Sequence, residues 1–255
     1  MNGRLISAEV LRLRKNRALI IWLAVLTTVS VTAFYLIAQG FHWDQPSQNG
    51  PAGGAVNFRH SLMILGLLGA VAATILGTNT GTSDVTSGVF RDLVVTGISR
   101  TRLYLARVPG LLAVWVPLIL IAYVVSILFN FAFAGNLRTL TATQMVKDGL
   151  WVLVVTSIAL MVAMGLSALI GSRGITIGIL LGWQLAISPL LSNISVLGVT
   201  REFLLQSATS RIQPFSGGDR GADIAMSLIA AIGVLICWAA VPRAIGAWRT
   251  VTRDA

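Results

Sequence analysis

The chain has 255 residues, of which 55% are apolar and only 11% charged, with a formal net charge of +10. Soluble domains carry about 25% charged residues, so most of this chain cannot cover a water-facing surface, and an ordinary soluble globular protein is excluded. One cysteine and two histidines exclude a disulfide framework or a cysteine metal site.

The first 17 residues place Leu5, Ile6, Val10 and Leu13 at helical spacing among basic residues. They predict an amphipathic helix on the membrane surface, where each Lys or Arg adds about 1 kcal/mol of attraction to anionic lipid. Six apolar runs follow, at 18–38, 61–81, 108–134, 149–170, 175–191 and 224–242, none containing Asp, Glu, Lys, Arg or His. Each is close to the roughly 20 residues that cross a ~30 Å hydrocarbon core. The first run, 21 residues long, exceeds the 7–15 of a signal-peptide apolar region and is expected to remain as a span. The expected fold is an all-α membrane protein with six transmembrane helices in one domain over 1–255.

With the N-terminus in the cytoplasm, 13 basic residues fall on the inner side and 6 on the outer. The positive-inside rule then places both termini in the cytoplasm. The net charge is read as a topology signal, and because the inner basic residues are spread over short segments, no nucleic-acid partner is expected.

Between runs 1 and 2, the Gly-, Pro-, Gln- and Asn-rich stretch 39–60 predicts a solvated outer connection. In run 5, Gly174, Gly178 and Gly182 share one helix face and predict a close helix contact, within one bundle or between two copies. Pro117 predicts a kink in span 3, while Pro189 and Pro242 stand near span ends. Segment 192–222 is too apolar for a free loop, yet Arg201, Glu202 and Arg211 interrupt it. A re-entrant helical element on the outer side is expected there.

Catalytic motifs are imitated rather than present. Gly77 to Ser83, "GTNTGTS", resembles a phosphate-binding loop without its lysine. Gly165 to Ala168, "GLSA", resembles an intramembrane serine motif, but His42 and His60, the possible bases, belong to the outer connection. No catalytic residue and no metal ligand is assigned. The apolar runs hold no carboxylate, which argues against a proton-driven carrier. Their uncharged polar residues, Thr28, Ser30, Thr32, Thr74, Asn79, Ser126, Asn130 and Gln184, are expected to hydrogen-bond between helices, some of them lining a path.

The interruption between runs 2 and 3 is itself patterned. On a helical wheel, residues 84–95 put Val85, Val89, Phe90, Leu93 and Val94 on one half, and Asp84, Gly88, Arg91 and Asp92 on the other, with Val95 the exception. Such a face, outside the apolar runs, must rest on lipid or on another protein. Gly97 suits the C-terminal cap, and Ser99 an N-cap for the helix leading into span 3.

Residues 84–107, "DVTSGVFRDLVVTGISRTRLYLAR", resemble the segment after the second span in permease subunits of ABC-2-type ABC transporters. Asp84, Gly88, Leu93 with Val94, Gly97, Ser99, Arg100 and Arg107 match the family pattern in order. Asp84 replaces the usual Glu, and Ile98 follows Gly97 where the family more often has Pro-Val or Pro-Ile. The resemblance implies that this segment is a cytoplasmic coupling helix, with Asp84, Gly88, Phe90, Arg91, Leu93, Val94, Gly97, Ser99 and Arg100 docking on a separate ATPase subunit. It implies a bacterial cytoplasmic-membrane exporter working as a pair of permeases, from a second copy or a homologue, with ATP and Mg²⁺ bound in the ATPase and no cofactor in this chain. It also implies that spans 1, 2 and 5 line the substrate path, with Thr28, Thr32, Thr74 and Gln184 as candidates. The competing expectations are an ATPase-coupled protein that transmits force or signal without transport, a secondary carrier or channel, and a membrane enzyme.

Overall fold

The computed structural model describes residues 3–87, 100–214 and 226–252. Helix α1, Gly3–Lys15, is followed by α2, Arg17–Asp44; α3, Gly54–Ser87; α4, Arg100–Ala132; α5, Ala142–Ile170; and α6, Arg173–Asn193. A 3₁₀ segment, Ser195–Phe203, then leads to α7, Leu205–Arg211, and to α8, Leu228–Thr252. No strand occurs among the described residues. Six helices, α2 to α6 and α8, are long and apolar enough to cross a membrane, so the chain is a multi-pass membrane protein.

Each helix contains its predicted apolar run or most of it and extends past it, because the backbone keeps its hydrogen bonds until a capping residue ends them. Asn16 begins α2 by accepting the Leu19 N–H on Oδ1 at 3.2 Å. Thr141 begins α5 with a reciprocal capping box to Gln144, and Gly171 ends it in the left-handed conformation at φ 76°. The stretch 39–60, expected as a solvated loop, belongs mostly to α2 and α3. Its remainder packs down: the Gln39 side chain accepts the Ala52 N–H at 3.1 Å, and the Gly53 N–H donates to Phe133 O at 3.0 Å. Pro242 lies inside α8 rather than at a span end.

Helices α3 and α5 form the centre, with 67% and 61% of their apolar windows buried, against 22%, 17% and 11% for α2, α6 and α8. In a bilayer no hydrophobic force pulls helices together, so close packing of small residues must do so. A Cβ on Gly77 would collide with Leu160 O, and one on Gly81 with the Ser167 hydroxyl and Met164 O. The phosphate-loop look-alike is thus a GxxxG seam between α3 and α5. The serine look-alike is equally structural: Gly165 lies against the Pro242 backbone of α8, and Ser167 donates to Met164 O at 3.1 Å.

The glycines of run 5 are not used in this way. A Cβ on Gly174, Gly178 or Gly182 would meet nothing within 4 Å, so of the two contacts expected for that stripe, the one within the bundle is ruled out among the described residues.

Helix α1 is not simply laid on a lipid surface. Leu13 and Glu9 are buried, while Leu11, Arg12, Arg14 and Lys15 point outward. The helix docks on the first turns of α4, where Gly110 leaves room: a Cβ there would stand 2.9 Å from Glu9 Cβ and Cγ.

Of the segment 192–222, residues 192–214 are described, and most of them are helical. Its 3₁₀ part leaves Val196, Val199 and Phe203 exposed, whereas α7 buries Ser207, Ala208 and Thr209. Trp151 of α5 donates to Thr209 O at 3.1 Å and Trp238 of α8 to Phe203 O at 2.9 Å, tying the segment to the bundle.

Replacing Gly81 by Leu is expected to cost about 1–3 kcal/mol by overpacking the α3–α5 seam, measured by unfolding in mixed micelles. The same change at Gly178 should leave the stability of a monomer unaltered.

Candidate functional site

Two groups of polar residues within the spans bear on a path. Toward the end of the bundle remote from α1, Tyr35, Ser61, Ser126 and Asn130 form a buried network. Tyr35 Oη donates to Ser61 Oγ at 3.1 Å, Ser61 and Ser126 hydroxyls are 2.8 Å apart, and Asn130 Nδ2 donates to Gly54 O at 2.8 Å. These bonds join α2, α3 and α4, as expected for Ser126 and Asn130. They tie that end of the three helices together.

The second group lies near mid-depth. Thr27, Thr74 and Gln184 stand ten, eight and eleven residues from the membrane-span ends at Arg17, Thr82 and Arg173. At 1.5 Å per residue that is about 12–17 Å in, on one side of the serially crossing bundle. Of the expected path residues, Thr74 and Gln184 are brought together: Thr74 Oγ1 donates to Ala70 O at 2.9 Å and faces Gln184 Oε1 at 3.5 Å. Thr28 and Thr32 are half-buried on α2, and the Thr32 hydroxyl donates to Thr28 O at 2.9 Å instead of reaching another helix.

At this level both α2 and α6 depart from α-helical hydrogen bonding. Val25–Val29 and Trp183–Ile187 are π-helical turns, a feature that tends to occur at functional positions. In α2 the Ser30 N–H reaches back to Val25 O, and the Ser30 hydroxyl donates to Leu26 O at 2.8 Å, taking up the carbonyl that the shift releases. In α6 the Ser188 N–H likewise reaches Trp183 O. The sequence reading passed over Thr27, Ser188 and both turns. The available signal was a serine directly after each turn, followed in α6 by Pro189.

A third feature lies at the start of α4. Glu9 is buried between Arg12, whose guanidinium donates to it at 2.5 Å, and Arg107, which is 8% exposed and donates to Thr80 O at 3.4 Å. Burial raises the Glu9 carboxyl above its ordinary value of 4.5, and the charges of Arg12 and Arg107 oppose that rise without cancelling it. Asp148 is also buried, at 5% exposure, one position before the apolar run of α5, with Arg59 as the charge acting on it. The run boundary had hidden this carboxylate from the sequence reading.

Of the segment expected to dock a partner, Gly88, Phe90, Arg91, Leu93, Val94, Gly97 and Ser99 lie outside the described residues. Asp84 belongs to the last turn of α3 and Arg100 opens α4. No group of three or more metal-ligating side chains occurs among the described residues. No family model matches the chain, and no curated protein matches it.

A carboxyl that binds protons more readily when α1 is docked makes docking strongest below pH 4.5. Docking weakens as pH rises from there through the higher docked value, and is constant above it. In the Cys237→Ser background, spin labels at Ser7→Cys and Leu105→Cys should show the short-distance population falling with pH over that window. Glu9→Gln should flatten the profile, whereas a rising population would contradict the burial of Glu9.

Proposed function

We propose that this chain is the membrane-spanning subunit of an ATP-driven ABC-2-type exporter in a bacterial cytoplasmic membrane, with both termini in the cytoplasm and ATP hydrolysed, with Mg²⁺, by a separate subunit. The observation that carries the proposal is the patterned segment 84–107, whose apolar half-face stands between two long spans and has the residue order of a coupling helix. Its position supports the role: it joins α3, the most buried span, to α4, on which α1 is docked through Glu9 and Gly110. A push on 88–99 would be delivered to the centre of the bundle and not to its rim.

Pairing with a second copy or a homologue is supported by the bare face of α6, where Gly174, Gly178 and Gly182 meet no neighbour. Thr74 and Gln184 are then the first residues of the path, with Thr28 and Thr32 on the adjacent α2. ATP-driven closure of the ATPase pair would shift the coupling helices and rock the two bundles, exposing this level to one side and then the other.

Phe90→Asp and Leu93→Asp place a charge on the docking face. Either should abolish co-purification of the proposed ATPase subunit and reduce ATP-dependent export at least tenfold, while the chain still reaches the membrane. Normal assembly and transport in both variants would refute the docking face.

One observation favours a second reading, an ion-driven carrier: the buried Asp148. Intramembrane carboxylates usually mark ion or proton pathways. Asp148→Asn should abolish ATP-independent, gradient-driven uptake in vesicles if the chain is a carrier. In the exporter proposed here, ATP-dependent movement should survive that substitution.

A further inference from the structure

The π turn of α6, with a proline directly after it, leaves backbone carbonyls without a donor, Gln184 O among them. The Ser188 N–H is committed to Trp183 O, so Gln184 O loses its usual partner four residues on. The residue five on, which could replace it, is Pro189, and proline has no N–H. In α2 the equivalent carbonyl, Leu26 O, is taken by the Ser30 hydroxyl. Ser188 occupies the same place after its own turn and is buried, yet it makes no such bond among the described residues.

The side chain of Gln184 adds to this. It is half-buried, its Oε1 faces the Thr74 hydroxyl at 3.5 Å, and its Nε2 has no acceptor among the described residues. One residue of a helix that is only 17% buried therefore presents both an acceptor and a donor at mid-depth. In hydrocarbon neither would be tolerated, since backbone that departs from helical pairing persists there only against protein or a polar cavity.

We infer that the Gln184 carbonyl and side-chain amide form a binding site for an uncharged amphipathic molecule bearing an amide. The ligand N–H would donate to Gln184 O, and its carbonyl would accept from Gln184 Nε2. The absence of formal charge follows from the surroundings: 18–38, 61–81 and 175–191, the runs of α2, α3 and α6, hold no Asp, Glu, Lys or Arg, so a charged head group would meet no counter-charge at this level. The inference rests on Thr74 and Gln184 lining the path, and it names the class of cargo that path would take.

The test uses the full-length chain in lipid nanodiscs and two photoreactive probes, decanamide with a diazirine on its chain and the N,N-dimethyl analogue, which keeps the carbonyl and lacks the N–H. The primary amide should label the α6 peptide about fivefold more than the analogue, the worth of one hydrogen bond. Pro189→Ala restores an N–H that can take Gln184 O, and should erase that preference while leaving labelling by the analogue unchanged. Gln184→Leu should lower labelling by both probes and leave the preference in place. Equal labelling by the two probes, no labelling of α6, or a preference that survives Pro189→Ala would overturn the inference. Failure of an ATPase to associate would leave all these results unchanged, so the site and the exporter proposal can fall separately.

Discussion

A bilayer offers backbone groups no water, so each N–H and C=O must find its partner inside the protein. Helices then have to be held together by contact instead of by the flight of apolar surface from water. In this chain both demands meet at the seam between α3 and α5. Gly77 and Gly81 allow the α3 backbone to lie against the carbonyls of Leu160 and Met164. Buried Trp115 crosses from α4 to donate to Thr156 Oγ1 of α5 at 3.2 Å. The other helices are placed by what they can lean on this pair.

The consequence is an uneven bundle. Helices α2, α6 and α8 keep most of their surface open, and both α2 and α6 contain a π turn at the depth of Thr74. The two turns solve the same problem differently. In α2 a serine hydroxyl closes the released carbonyl internally; in α6 a proline removes the alternative donor and the serine stays out of the bond. A helix that tightly filled its groove would have little use for such a break. The centre is thus closely packed, while the open flank carries both π turns.

Much of the fold was legible in the sequence, because a run of about 20 apolar residues has few structural outcomes. The helix ends were less so: α2 carries on through Gln39 to Asp44, and α5 starts at Ala142, since hydrogen bonding stops at a cap and not at the edge of hydrophobicity. That boundary effect also concealed Asp148. Glycine spacing was legible as a tendency to close contact, but not as an address. Gly77 and Gly81 looked like part of a phosphate loop and are a packing seam, while Gly174, Gly178 and Gly182 looked like the seam and face open space. Thr74 and Gln184 were identified as polar residues in apolar spans, and their meeting could not be, because it depends on how α3 and α6 pack. The π turns depend on shifted backbone bonds, which residue types alone do not encode.

The inferred site requires α6 to turn polar atoms at Gln184 toward water or cargo, while its exposed apolar residues Ile175, Ile179 and Leu190 face lipid or a second copy. Thiol labelling in intact membranes addresses this directly, in the Cys237→Ser background with single cysteines at Ile175, Ile179, Gln184 and Leu190 and a water-soluble maleimide. Reaction at position 184 and protection at 175, 179 and 190 is the predicted pattern. Protection at 184 with reaction at 179 would contradict the account, because it would place the broken turn in the dry interior and the apolar face in water.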